Sequence, residues 1–253
     1  MFKLRPALCP TVFSLPVFVL CMALAVWQLE RREWKWGILD RIAANQAAAP
    51  ITLDELLKGG DPLAHEYGKV KLSGTFLNDR EFFLAARSLK DNVGMHVITP
   101  VRTDDGRIVL FDRGWIPSAK KDPATRAASR IDGHVDLVGV VRRTQKKPYF
   151  APDNDPAKDF WFTVDVPLMR KLAGGPPDPG LDGFFLDADA TPNPGGVPIG
   201  GQTYLDIPND HLQYALTWFL IGLALIGVYV AYHWENGRLT VNGRTKVKVK
   251  ESA

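Results

Sequence analysis

Cysteine is almost absent from the chain: among 253 residues there are two, Cys9 and Cys21, both at or within the first long apolar run. The stretch between the two apolar runs has none, which excludes a disulfide framework there and argues against a copper or zinc carrier built on Cys-x-x-Cys or Cys-x-x-x-Cys. Histidine is scarce too. His65, His96 and His134 stand alone, without a His-x-x-x-His or Glu-x-x-His partner, and read as surface or strand residues. With no nucleophile-and-base set and no metal cluster in view, nothing in the central stretch points to an enzyme. Asp153, Asp155, Asp187 and Asp189 read as turn and loop formers. The net charge of +3 is small and the basic residues are scattered, so nucleic acid is not an expected partner.

Charge is missing altogether from residues 11–29 and, with a neutral histidine, from residues 211–232. About 20 such residues suffice to cross a bilayer, so two membrane spans are expected. Lys and Arg are absent between Lys171 and Arg238, whereas Arg238, Arg244, Lys246, Lys248 and Lys250 follow the second span, which places the C-terminus in the cytoplasm. Around the first span the signal is mixed, with Lys3 and Arg5 before it and Arg31, Arg32 and Lys35 after it. Two spans put both ends on one side, and long loops translocate largely regardless of charge. The expected organisation is a cytoplasmic N-terminus at 1–10, a first span at 11–29, a periplasmic domain at 30–208, a second span at 209–232 and a basic cytoplasmic tail at 233–253. The short leader is too brief for an Arg-rich transit peptide, which favours a bacterial inner membrane over a mitochondrial one. Ala23-Leu24-Ala25 fits a signal-peptide cleavage site, but the apolar run continues through Val26, Trp27 and Leu29 as in a retained anchor.

Beyond the first span, residues 30–46 read as a helix continuing out of the membrane and ending before Pro50, with Trp27, Arg31 and Trp34 on one face. Thr52 to Leu57 reads as a short capped helix closed by Gly59-Gly60. Strand patterns follow at 70–76, 81–85, 95–101 and 108–115, the last two joined by a turn at Asp105-Gly106. A charged linker is expected at 117–130, a strand at 134–143, short strands at 160–164, 183–188 and 203–207, and a helical turn at 166–172. Gly- and Pro-rich loops fill 174–180 and 191–201. The expected fold class is thus a membrane protein of α+β type, two terminal transmembrane helices flanking a mainly antiparallel, barrel-like exported domain.

Residues 208–218 open the second span with side chains that a lipid-facing helix does not need. His211, Tyr214 and Trp218 recur at spacings that place them on one helical face, and Asp210-x-x-Gln213 resembles a capping box. Hairpin topology brings this start to the depth of Trp27, Gln28, Arg31 and Arg32. The aromatics fit an interfacial belt; the imidazole is not covered by that. It is a candidate axial ligand for haem iron, with arginines at hand for propionates. His233, at the other end of the span, has no such cluster and reads as interfacial. Arg113, Gly114, Trp115 and Pro117 form a second cluster, either a strand end with a guanidinium stacked on a ring or a surface for a partner or anion.

These segments, taken in order, resemble the surfeit locus protein one family of cytochrome c oxidase assembly factors over almost the whole chain. The resemblance rests on Trp27-Gln28-Leu29-x-Arg31, on Met95-His96-Val97-Ile98-Thr99-Pro100 followed by Leu110-Phe111-Asp112-Arg113-Gly114-Trp115-Ile116-Pro117, and on Gly139-Val140-Val141-Arg142. It continues through Phe150-Ala151-Pro152-x-Asn154-x-Pro156 and Trp161-Phe162 to Asn209-x-His211-Leu212-Gln213-Tyr214-Ala215-Leu216-Thr217-Trp218. Phe111-Asp112 and Met95 depart mildly from the family pattern. The resemblance implies a non-catalytic factor that aids haem a insertion into oxidase subunit I, with haem a bound through His211 as iron ligand; the hairpin topology sets Tyr214, Trp218, Trp27, Gln28 and Arg31 around it as candidate cofactor-binding residues. Subunit I, haem a synthase and the lipid bilayer are the implied partners. Arg113, Gly114, Trp115 and Pro117 carry over as signature positions. The alternative is a cofactor-free scaffold that holds oxidase subunits by protein contacts.

Overall fold

The computed structural model describes residues 2–203 and 208–241. In chain order its elements are β1 (Phe2–Leu4), α1 (Leu8–Ala47), β2 (Ile51–Thr52), α2 (Leu53–Lys58), β3 (Lys69–Phe76), β4 (Phe82–Leu89), β5 (Asn92–Thr103), β6 (Ile108–Pro117), β7 (His134–Arg143), α3 (Val166–Leu172), β8 (Phe184–Ala188), α4 (His211–Glu235) and β9 (Leu239–Val241). The chain divides into two units, one of residues 1–40 with 206–253 and one of residues 41–205.

The second unit is built on a closed barrel. Strands β3, β7, β8, β6 and β5 follow one another around it, and β5 pairs back onto β3. Four of these five pairings are antiparallel, and only β6–β8 is parallel. The pattern of β3 shows why it forms: Lys69, Lys71, Ser73 and Thr75 alternate with buried Val70, Leu72, Gly74 and Phe76, the period-two signature of a sheet with one covered face. Gly74 sits where β3 faces Thr103 of β5 and Val135 of β7 together. A Cβ there would lie 2.3 Å from the Arg102 carbonyl oxygen, so closure of the barrel at this corner requires glycine.

Strand β6 is buried from Ile108 to Ile116 because both of its faces are covered. Val109 and Phe111 face the barrel core with Val70, Leu72, Val101 and Leu186, against which α2 sets Leu53 and Leu56. Ile108 and Leu110 face the other way, into a second core made by Trp161, Val166 and Met169. Helix α2 begins as its sequence demands: Thr52 accepts from the Glu55 N–H, and Glu55 reaches back to the Thr52 backbone.

Two expectations for this unit are corrected. Residues 160–164 form no strand, only isolated bridges at Trp161 and Phe160. The Asn154 side chain takes the N–H groups of Phe162 (2.8 Å) and Thr163 (3.1 Å) and so occupies the donors a ladder would use. Residues 117–130 are not a simple linker, for they fold into two 3-10 turns with Arg126 and Ser129 buried. The hairpin between β4 and β5 turns at Lys90 and Asp91, both with positive φ, a turn whose usual Asn-Gly signal is missing. Of the strand expected at 203–207, residues 204–207 lie outside the described residues, as do residues 242–253 of the expected basic tail.

In the first unit, α1 and α4 are each long and apolar enough to cross a membrane. They run antiparallel, as matched contacts along their length show: Gln28 meets His211, Met22 and Cys21 meet Gly222, and Thr11 meets Tyr229. Beyond the helices, β1 pairs antiparallel with β9. The residues buried in the two helices are small apart from one histidine: Cys21, Ala25, Ala215, Gly222 and His233. Small residues let the backbones approach closely where a lipid surround supplies no hydrophobic drive to helix pairing.

His233, expected at the interface, is fully buried. Its Nδ1–H donates to the Tyr229 carbonyl at 2.8 Å, and its Nε2 accepts the Ala7 N–H at 3.0 Å, so the ring satisfies a donor at the start of α1 that the helix itself leaves unpaired. The capping box expected at Asp210 does not form. Asp210 is the residue before α4, but with ψ 10 its backbone is nearly helical and its carboxylate makes no capping bond, since a capping side chain needs an extended backbone to reach the free N–H groups.

Candidate functional site

The end of the α1–α4 pair at the start of α4 collects the residues that the sequence singles out. Successive helix positions turn by ~100°, so His211, Ala215, Trp218 and Gly222 share the side of α4 that faces α1, where Ala215 and Gly222 are buried. His211 and Trp218 are half-buried on that side, while Tyr214 stands at its edge, 55% exposed. Across the seam, α1 contributes half-buried Gln28 and exposed Trp27.

One contact defines the geometry. His211 Nδ1 lies 2.7 Å from Gln28 Oε1. A carboxamide oxygen can only accept, so the proton must sit on Nδ1 and the Nε2 lone pair is left outward. No described residue donates to that lone pair. A ring nitrogen oriented through its opposite N–H by a neutral acceptor is the arrangement in which histidine binds a metal. One turn further along α1, the Arg31 guanidinium lies 3.7 Å from the centroid of the Trp34 ring, which holds a cation at the same end of the helix pair. Arg32 is drawn instead to Glu33 at 3.8 Å. Lys35, which sequence reasoning had not singled out, donates to the Pro208 carbonyl just before α4.

The donor set would suit a haem, whose iron the free ring nitrogen of His211 could hold. It does not fit a free metal ion, since no group of three or more His, Cys, Asp or Glu occurs among the described residues. The aromatic side chains Trp27 and Tyr214, both more than half exposed, suit an apolar macrocycle lying beside the helices, and Arg31 suits a propionate.

The second cluster lies in the barrel and is turned inward. Arg113 is 1% exposed. Its guanidinium donates to the Ser129 carbonyl, lies 3.8 Å from Glu81 and stacks 5.0 Å from the Phe76 ring centroid. Burial lowers its pKa, while the charge of Glu81 opposes the shift. Glu81 also forms a two-pronged pair with buried Arg126. Gly114 has φ +112, and a Cβ there would lie 2.0 Å from the Ile199 carbonyl oxygen. Only glycine permits that approach, because Trp115 pairs both ways with Ile199 through its backbone. The Trp115 indole N–H donates to the Arg87 carbonyl at 3.0 Å. Pro117 ends β6. In this cluster the guanidinium stacks on an aromatic ring and reaches Ser129 and Glu81, while its Nε and Nη1 have no hydrogen-bond partner among the described residues.

A third group was not legible beforehand. His96 Nδ1 lies 2.8 Å from Asp112 Oδ2, and Asp112 Oδ1 accepts the Gly114 N–H. Burial disfavours the His96 imidazolium, but the adjoining Asp112 carboxylate outweighs it and raises the pKa. Asp187 lies on β8, within the strand expected at 183–188, and is not a turn or loop former; burial and the nearby charge of Asp112 push its pKa up to about 7, and Thr203 donates to it at 2.8 Å. Asp189 does form a turn, accepting the Thr191 N–H. Among the described residues no hydroxyl or thiol bonds to His96, so the group lacks a nucleophile placed on a base.

The model of the SURF1 family matches residues 15–223. Surfeit locus protein 1 of Mus musculus is 34% identical over 225 residues, covering 82% of this chain and 70% of the relative. That of Homo sapiens is 33% identical over 225 residues, covering 81% and 71%. The SURF1-like protein of Monosiga brevicollis is 34% identical over 237 residues, covering 88% of this chain and 87% of the relative.

Proposed function

The chain belongs to the SURF1 family, and on that premise we propose that it is a non-catalytic, membrane-anchored assembly factor for cytochrome c oxidase. In this proposal it holds haem a through His211 at the outer end of its helix pair and presents it to subunit I. The observation that supports the haem step best is the Gln28–His211 hydrogen bond, which leaves the Nε2 lone pair free for iron. His211 would hold haem a by its iron, and haem a would supply the redox-active centre that the oxidase needs. Gln28 fixes the tautomer and the ring plane. Trp27, Tyr214 and Trp218 provide apolar surface, and Arg31 a charge for a propionate. A single neutral axial ligand at a half-exposed seam suits a carrier that must release what it holds, because few protein bonds need to break on transfer. Subunit I is the natural recipient, haem a synthase the natural donor, and the bilayer the medium in which the three meet. The membrane in the proposal is a bacterial inner membrane with the barrel in the periplasm.

Absorption spectroscopy of the full chain purified from haem-a-producing cells tests the ligand. His211→Ala is expected to lose the haem spectrum, and Gln28→Leu to weaken binding by roughly 10–100-fold, the usual effect of removing the group that orients a ligating histidine. An unchanged spectrum in His211→Ala refutes the ligation. Copurification with subunit I without any chromophore, together with normal oxidase assembly by His211→Ala, would support the cofactor-free scaffold instead.

A further inference from the structure

The barrel unit carries a cleft of about 700 Å³ walled by Arg87, Arg142, Arg143 and Lys146, with Glu66 as its one carboxylate and Phe162 as its ring. Four cations against one anion is an excess of positive charge in a concave space. Glu66 is engaged by Arg143 at 3.4 Å, which leaves exposed Lys146 and the two less exposed arginines, Arg87 and Arg142.

Neither of these is well served by the protein. Arg142 is 21% exposed, and its Nε and Nη1 are buried without a hydrogen-bond partner; its closest carboxylate, Asp187, stands 3.8 Å away. The guanidinium is held flat 4.6 Å from the Tyr67 ring centroid. Asp187 is an incomplete counterion, being kept partly protonated near neutral pH by burial and by Asp112. Arg87 reaches only two backbone carbonyls, Ala85 at 3.4 Å and Phe162 at 3.5 Å. Among the described residues it forms no ion pair. Burying guanidinium groups in this way is unfavourable unless a charge arrives to meet them.

The mouth of the cleft is apolar. Pro148 and Ala151 line its wall, and between them Tyr149 and Phe150 project into solvent, 92% and 93% exposed, with their rings packed edge to face at 4.9 Å. Two large rings held together in water beside a basic cleft form an anchor for a protein surface.

We propose that this cleft docks an acidic, partly apolar segment of a partner protein, whose carboxylates meet Arg87 and Arg142 and whose apolar side chain covers Tyr149 and Phe150. The guanidinium groups of Arg87 and Arg142 offer planar N–H donors of the kind that pair with a carboxylate. An inorganic anion leaves the exposed rings uncovered, and a lipid headgroup layer calls for cations on a broad surface rather than within a concavity. The inference stands independently of haem binding, since it uses none of the residues of the helix pair.

The test uses the full chain in nanodiscs of zwitterionic lipid. The probe is a fluorescein-labelled peptide of alternating glutamate and leucine, with a glutamine–leucine peptide as control. Saturable binding of the acidic peptide, weakening with salt and absent for the control, is expected. Arg87→Gln and Arg142→Gln should each weaken it by about tenfold or more, the scale of losing one partner of a desolvated charge pair. Lys146→Gln and Phe150→Ser, at exposed positions where folding is not at stake, should each weaken it by about threefold. Arg130→Gln, exposed and paired to Asp132 outside the cleft, should leave it unchanged. Equal affinity across all five variants overturns the proposal. So does displacement of the peptide by free phosphate as effectively as by unlabelled peptide, which assigns the cleft to small anions, or by anionic vesicles, which assigns it to membrane.

Discussion

Replacing Glu81 by alanine isolates the charge network under the Arg113 signature. Glu81 is 6% exposed at its side chain and faces Arg126 at 3% and Arg113 at 1%. It accepts from both terminal nitrogens of Arg126 and lies 3.8 Å from Arg113. Its removal leaves two buried guanidinium groups with backbone carbonyls and one amide as their remaining acceptors: Lys120 and Ser129 carbonyls and Asn193. Breaking a buried pair from one side costs about 3–5 kcal/mol, because the stranded charge has lost its water and gained nothing. For a unit of this size each kcal/mol moves the melting temperature by about 2–4 °C, so a fall of roughly 6–20 °C is expected. Near-ultraviolet circular dichroism of the full chain in detergent includes this unit through Trp115 of β6 and Trp161 of the second core, both buried. Asp132→Ala, which removes an exposed partner of Arg130, should cost no more than about 1 kcal/mol. The double variant Glu81→Leu with Arg126→Met should lose less than the sum of its single changes, as coupled partners do. A Glu81→Ala protein melting within about 2 °C of the parent refutes the reasoning, because it would mean that the arginines are not desolvated.

Gly114→Ala should prevent accumulation of folded protein, a loss of roughly 3 kcal/mol or more, because the residue combines φ +112 with a carbonyl oxygen 2.0 Å from the new Cβ; soluble, trypsin-resistant protein at the parental yield would count against it. Stability should also depend on pH through Asp187. Its carboxyl faces Asp112, Arg142, His96 and Thr203, and burial with the charge of Asp112 raises its pKa to about 7. The folded state therefore holds a proton that the unfolded chain releases, so this contribution is full below the ordinary carboxylate range and is lost as pH rises through about 7. The raised pKa of His96 acts in the same direction. Melting temperature should fall from about pH 5 to about pH 8, and Asp187→Asn should flatten the profile; a rise over that range in the parent protein would contradict the sign.

Much of the fold could be read beforehand because it depends on local rules. The charge-free runs announced both apolar helices, Thr52 and Glu55 announced α2, Asp105-Gly106 announced the β5–β6 turn, and the alternation of β3 and β7 announced a one-sided sheet. Failures came where a side chain replaced a backbone partner. Asn154 removed the strand at 160–164, and His233 is buried against α1 because its ring accepts an N–H that lies far off in sequence. Asp210 marked the start of α4 without capping it, since the type of residue was legible and its ψ was not.

For the sites the division is similar. The sequence alone determined the two apolar runs, the residue types at their outer ends and the closeness of His211 to the start of α4, since these follow from composition and from the helical period. Only the tertiary structure decided which atom of His211 meets Gln28, that Arg113 is spent on Glu81 and Ser129, and that Arg87 and Arg142 share a cleft. The His96–Asp112 pair shows the reason. It depends on the register of two strands with an irregularity between His96 and Ile98. One residue of slip would turn the imidazole to the opposite face of the sheet, and register is set by how the whole barrel closes and packs, not by the residues on either side of the histidine.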